Sequence, residues 1–346
     1  MASEDNVLLK VDGLLKYYPV VSRGIILKKR VGDVHAVDNI SFSIKKGETF
    51  GLVGESGCGK TTTAKLILNL EIPDMGSVYY QGRNATQIFR KGKSADVLAL
   101  RRKIQYVFQN PYASLDPRMT VSDILMEPLH IHKHLPKAKW KDRMYELIHL
   151  VGLEDYHLER YPHEFSGGQR QRICVARALA VEPELLLTDE PVASLDVSIR
   201  AQVLNLLDDL QQKFGLTYLY ISHDLSTVRH ISDRVAVMYL GKLVEIADVD
   251  ELYEKPLHPY TEALLSAIPV PDPTGKTKAK RIILRGEVPS PINPPSGCRF
   301  HPRCSYAMDI CKKAEPALDE TKTGHFVACF LHHKTKATPP QLVKAE

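Results

Sequence analysis

The sequence predicts an α/β fold, a buried and largely parallel sheet interrupted by an inserted helical subdomain. Three observations predict it. Short runs rich in apolar, β-branched and aromatic residues alternate with helical stretches; a glycine-rich turn follows the first run; and about 75 residues with little strand character separate Phe108 from Leu185. Continuous apolar strands bounded by helices are the pattern of a sheet covered on both faces. A stretch of 75 residues is too long to be a loop inside such a sheet, so it reads as a helical insertion.

In chain order, Thr49 to Val53 is the strand before the turn, and Lys60 to Leu70 is a helix after it. Ile104 to Phe108 alternates weakly and reads as a strand. Lys139 to Val151 and Gly168 to Ala180 are helices of the insertion. Glu184 to Thr188 is an apolar strand running into two acids, followed by a helix over Ser198 to Phe214. Thr217 to Ile221 and Val235 to Tyr239 complete the strands, and Tyr260 to Ala267 is a short helix. Prolines crowd Pro269 to Pro295, interrupted by the basic run Lys276 to Arg281, which reads as a linker or extended segment.

The bulk numbers are those of an ordinary soluble chain: 346 residues, 44% hydrophobic and 25% charged. A net charge of +5, from 46 basic and 41 acidic residues, is too small an excess to argue for nucleic acid. No run of 18 apolar residues marks a transmembrane helix, and the acidic start Met1 to Asn6 lacks the layout of a signal peptide. The expectation is a cytosolic chain that reaches a membrane only through partners.

Gly54-Glu55-Ser56-Gly57-Cys58-Gly59-Lys60-Thr61 fits the pattern G-x-x-x-x-G-K-[ST]. Glycines let backbone amides curl around phosphate oxygens, and the next helix points its positive end at the same anion. Lys60 would reach the β and γ phosphates, and Thr61 would ligate Mg²⁺. Asp189 and Glu190 end an apolar strand. A carboxylate there can hold Mg²⁺, the role read for Asp189, while Glu190, turned away by strand alternation, can polarise a water in line with the γ-phosphate. Ser166-Gly167-Gly168-Gln169 opens a second helix as a second anion-binding turn. Two such turns in one chain are explained by a dimer in which each protomer completes the other's site.

These motifs, with Gln109 in Val-Phe-Gln-Asn-Pro, Ser194-Leu195-Asp196, and His223 in Ile-Ser-His-Asp, occur in the order found in ABC transporter ATPases. The resemblance covers roughly residues 7 to 268. It implies a P-loop NTPase with a RecA-like core, an antiparallel β subdomain, and a helical subdomain over about 110 to 182. It implies that Gln109 contacts Mg²⁺ or the lytic water and senses the membrane partner, that Asp196 belongs to a loop crossing the dimer interface, and that His223 touches the γ-phosphate. Glu190, His223 and Gln109 are the catalytic set. Thr61, Gln109 and Asp189 are the Mg²⁺ set. The nucleotide-binding set is Tyr18 (or Tyr17) on adenine, Gly54 through Cys58 to Thr62, Ser166, Gly167, Gly168, Gln169 and Asp196.

Of six cysteines, Cys298, Cys304, Cys311 and Cys329 fall in the tail with gaps of 5, 6 and 17 residues. Four thiolates can hold a [4Fe–4S] cluster or Zn²⁺, with His301, His325, His332 and His333 near enough in sequence to substitute. The spacing alone leaves both metals open. Lys255-Pro256-Leu257-His258-Pro259-Tyr260-Thr261, Gly286-Glu287-Val288-Pro289-Ser290-Pro291 and the cysteines resemble the C-terminal extension of oligopeptide and dipeptide permease ATPases. The pattern is similar to the second, dipeptide-type ATPase.

That resemblance implies a small cysteine-rich extension over 269 to 346 that carries a [4Fe–4S] cluster. It also implies pairing with a paralogous ATPase (a homodimer is the alternative), two transmembrane permease subunits, and indirectly an extracytoplasmic solute-binding protein, with no nucleic acid. The implied place is the cytoplasmic face of the membrane and the implied cargo is peptide, with nickel or an oligosaccharide as alternatives. A soluble ABC-type ATPase of translation or DNA repair is disfavoured, since neither a second cassette nor a long coiled-coil insertion is present. Intact Glu190 and His223 argue against a purely regulatory, redox-sensing module.

Overall fold

The structure is a computed structural model describing residues 6–21, 30–268, 282–284 and 286–332. Residues 269–281 and 285 of the proline-rich segment lie outside the described residues, as does His333.

The described elements run β1 (Val7–Val21), β2 (Arg30–Lys45), β3 (Thr49–Val53), α1 (Lys60–Ile67), β4 (Met75–Tyr80), β5 (Arg83–Asn84), α2 (Ala85–Lys91), α3 (Ser94–Lys103), β6 (Ile104–Val107), α4 (Pro111–Ser114), α5 (Val121–His132), α6 (Trp140–Leu150) and α7 (Gly167–Leu179). After the insertion come β7 (Leu185–Asp189), α8 (Val197–Phe214), β8 (Thr217–Ser222), α9 (Leu225–Ile231), β9 (Arg234–Tyr239), β10 (Lys242–Asp248), α10 (Val249–Glu254) and α11 (Pro259–Ser266). The tail adds α12 (Asp309–Lys313), β11 (Asp319–Lys322) and β12 (His325–Val327).

Two sheets form. An antiparallel one has the order β2-β1-β4-β5; the other has the order β11-β12-β10-β9-β3-β8-β7-β6. Strands β6, β7, β8, β3 and β9 pair in parallel. Every residue of β3, β7 and β8 is buried, as continuous apolar strands between two covering layers must be. The antiparallel sheet packs on one face through Leu9, Leu14, Ile44 and Phe42, whose ring stacks on Phe50 at 5.2 Å. The helical insertion and α8 cover the other face through Leu125, Leu147, Ile173 and Leu207.

The tail is not a separate piece. It returns to the core sheet, where β12 pairs antiparallel with β10 through Glu245–Val327 and Ile246–Phe326, and β11 adds on beyond it. That pairing supplies hydrogen bonds to an edge that would otherwise lie open.

Parallel register puts the chemistry in one row. Val53 is opposite Ser222, Asp189 is opposite Ile221, and Val107 is opposite Thr188. The turns after β3, β6, β7 and β8 therefore leave the sheet side by side at its carboxyl edge, where open α/β sheets bind ligands.

Candidate functional site

At that edge is a cavity of ≈ 660 Å³ lined by Tyr18, Gly54 to Gly57, Gly59 to Thr62, Gln109, Glu190 and His223. Its floor is the turn between β3 and α1. Gly59 has φ +112°, and a Cβ there would sit 2.1 Å from the carbonyl oxygen of Ala36, so this position must be glycine. Lys60, 5% exposed, donates from its ammonium to the carbonyls of Gly54 (2.7 Å) and Glu55 (3.1 Å). It has no carboxylate partner among the described residues. A buried ammonium held by neutral carbonyls is ready for an anion.

Glu190 lines the same cavity. The pleat does not divert it from Asp189, as the sequence led us to expect. The strand ends at Asp189, and Glu190 takes a left-handed conformation, φ 47°, while its N–H still bonds Ile221. Such a backbone is costly for a non-glycine residue and is found where structure over-determines it. Glu190 Oε2 accepts from Gln109 Nε2 at 2.9 Å, and Oε1 lies 2.9 Å from His223 Nδ1. The three residues predicted to be catalytic, from three different strand ends, are thus one hydrogen-bonded group.

Asp189 is buried. Tyr106 Oη donates to its Oδ2 at 2.8 Å, whereas Oδ1 has no partner. Burial raises its carboxyl pKa. An orphaned carboxylate oxygen beside the Thr61-bearing turn fits a hard divalent cation, which would supply the missing contact.

Of the two tyrosines considered for adenine, Tyr18 lines the cavity. Tyr17 stacks on His35 at 3.9 Å instead. Cys58 does not line it either: its thiol turns into the core, so this member of the nucleotide-binding set offers only backbone.

Ser166 to Gln169 and Asp196 are elsewhere. Ser166 is the exposed N-cap of α7, in a reciprocal capping box with Gln169. A Cβ on Gly168 would meet Ile199 at 2.2 Å, which explains the glycine by packing. Asp196 is the exposed N-cap of α8. None of these residues lines the cavity of its own chain.

A second groove of ≈ 700 Å³ opens beside the first, between the core and the helical insertion; Gln109 and Thr61 border both, whereas Asp189 lines only the groove. Exposed Phe108 and Ile131 line it.

Behind the phosphate turn is the tail. Cys298, Cys304 and Cys329 are half-buried and Cys311 is buried, all as free thiols. Burial, with Cys311, Cys329 and Cys304 adding to it, pushes the Cys298 thiol up to about 12; Cys329 rises to about 11 for the same reasons. Among the described residues, no three His, Cys, Asp or Glu side chains are arranged to hold a metal ion. The histidines are engaged otherwise: His301 Nδ1 lies 2.9 Å from the Cys298 carbonyl, His325 Nε2 lies 2.8 Å from Glu245, and His332 Nε2 lies 2.9 Å from the Leu257 carbonyl.

Sequence reasoning missed three residues here. Tyr260 Oη accepts the Glu55 N–H at 3.0 Å, Arg299 pairs with Asp38, and Arg303 grips the Glu55 carboxylate. Only the Lys255-to-Thr261 motif gave a signal, and it named no partner.

Comparison with known proteins agrees with this geometry. The family model for "ABC transporter" matches residues 37–193, and that for "Oligopeptide/dipeptide transporter, C-terminal region" matches residues 244–311. The chain is 50% identical to the oligopeptide transport ATP-binding protein AppF of Bacillus subtilis (strain 168), over 96% of this chain and 99% of that one. It is 48% identical to the dipeptide transport ATP-binding protein DppF of Haemophilus influenzae, over 94% and 97%. Among solved structures, the dimeric post-hydrolysis state of the ATP-binding cassette MJ0796, bound to ADP and Pi, matches with TM-score 0.60 and 26% identity, covering 70% of this chain and 99% of that one.

Proposed function

Since this chain belongs to the ABC transporter family, in the branch with the oligopeptide/dipeptide C-terminal region, we propose that it is the ATP-hydrolysing subunit of an importer of di- or oligopeptides. The observation that carries the ATPase reading is the placement of Glu190 between Gln109 and His223, in the cavity that Lys60 also lines.

In this reading, the amides of Gly57 to Thr62 and the Lys60 ammonium bind the triphosphate, and Tyr18 stacks on the base. Thr61, Asp189 and Gln109 would hold Mg²⁺, which would supply charge neutralisation on the triphosphate. Glu190 accepts a proton from the attacking water, and His223 donates a hydrogen bond to the γ-phosphate. Gln109, shared by the cavity and the neighbouring groove, passes the state of the site to a transmembrane subunit seated in that groove. The exposed Ser166 turn and Asp196 complete the site of a second ATPase chain, a paralogue or another copy. No helix among the described residues is long and apolar enough to cross a membrane. The chain then works from the cytoplasmic face, held there by its partners.

The four tail cysteines take a [4Fe–4S] cluster. Support comes from the mutual influence of the four thiols. Anaerobic purification with optical absorption and iron, sulfide and zinc analysis tests it; one zinc per chain and no iron refutes it.

The test of function is reconstitution with two membrane subunits and a binding protein. Peptide-dependent stimulation of ATP hydrolysis with peptide uptake is expected. Stimulation by nickel or an oligosaccharide, and not by peptide, overturns the cargo.

A further inference from the structure

The phosphate turn carries a carboxylate of its own, at Glu55, and Glu55 lines the nucleotide cavity. A negative charge at that place repels a triphosphate. The structure holds it back from two directions. Its N–H is tied to Tyr260 Oη at 3.0 Å. Its carboxylate is gripped by both terminal nitrogens of Arg303, at 2.8 and 3.2 Å, with 8% of the Arg303 side chain and 27% of the Glu55 side chain exposed. A bidentate, largely desolvated pair of this kind fixes orientation as well as charge.

Arg303 is itself held from behind. Phe300, 2% exposed, packs against Tyr239 and Tyr260 at ring-centroid distances of 5.3 and 5.4 Å. Arg299 pairs with Asp38 of β2, and Gly241 N–H bonds the Cys58 carbonyl in the turn itself. The segment from Cys298 to Cys304 is thus a rigid backing to the phosphate turn, 248 residues from it in sequence.

We infer that Arg303 is a positioning residue for nucleotide binding, pinning the Glu55 carboxylate back and neutralising it so that Lys60 and the loop amides set the potential in the cavity. This rests on reading Gly54 to Thr61 as the phosphate loop. It makes the tail part of the ATP site, and its charge is matched to a single residue of the loop.

The experiment measures MgATP binding, KM and kcat on the assembled transporter with variants of this chain. Arg303→Met raises KM on the order of tenfold and changes kcat far less, because the liberated charge acts on binding. Added salt shrinks the effect, since screening weakens the exposed carboxylate. Glu55→Gln alone lowers KM, leaving Arg303 unopposed, and the double variant Arg303→Met with Glu55→Gln returns KM to within about threefold of the parent. Glu55→Gln keeps an amide oxygen for Arg303 and leaves the Phe300 and Arg299 contacts in place, so it tests the inference even where Arg303→Met fails to fold. The inference is overturned when Glu55→Gln raises KM, or when Arg303→Met lowers kcat as much as binding without rescue by Glu55→Gln. Lys60→Ala is the control: unchanged nucleotide binding there sinks the phosphate-loop reading itself, a separate failure.

Discussion

The phosphate turn has two sides, and they are built differently. On the cavity side, Gln109 and His223 are exposed, and together with Glu190 they bond chiefly to one another. On the tail side, Phe300, Tyr260, His258 and Arg303 are sunk among aromatic rings and fixed by long-range bonds. The difference teaches that one face is kept free for ligand, while the other gives the loop its rigidity. Changes on the cavity face should cost turnover with little stability, and changes on the tail face should cost stability.

Glu190→Gln should give the largest effect. It preserves the left-handed turn's shape and MgATP affinity but lowers turnover by up to about ten-thousandfold, as loss of a general base does. Single-turnover assays and calorimetric melting check it together; a fallen melting temperature would blur the contrast. Phe300→Ala should come next, destabilising by about 3 kcal/mol through a buried cavity, measured by denaturant titration.

His258 sharpens the comparison through pH. Burial holds its imidazole down to about 4, against an ordinary 6.5. The folded state therefore binds fewer protons than the unfolded one between those values. Stability is complete above about pH 6.5 and declines as pH falls, by about 2 kcal/mol at pH 5. His258→Asn keeps an acceptor for the Tyr260 N–H and should flatten the melting-temperature profile over that range. Among the changes that cost stability, the smallest effect is expected for Ser166→Ala, about 1 kcal/mol for a lost cap. In the proposed composite site that turn completes a partner's nucleotide pocket, so ATPase activity should nevertheless fall; unchanged activity would remove the argument for a composite site.

Much of the cavity side could be read locally. The turn at Gly54 to Thr61, the acids Asp189 and Glu190 at the end of β7 and the buried strands each carry their pattern within a few residues. Glu190's direction could not be read, because it depends on a left-handed backbone and not on strand alternation. The antiparallel sheet was reached only through the family resemblance, because register shifts in β1 and β2 break the two-residue alternation that would have marked its strands. Helix α5 carries Pro128 inside it, which masks its periodicity. The tail side was least legible. Three residues, His325–Val327, are too short to announce a strand, and the Arg303–Glu55 pair leaves no local trace at all.

The return of the tail also settles how the large sheet ends. Strand β10, with Leu243, Val244, Ile246 and Ala247 buried, would without β12 present an apolar template to any passing chain. With the tail in place the last strand is Asp319 to Lys322, four exposed residues, three of them charged. The large sheet thereby finishes in a short polar hem that discourages stacking of sheets into fibres, whatever else the tail's cysteines do.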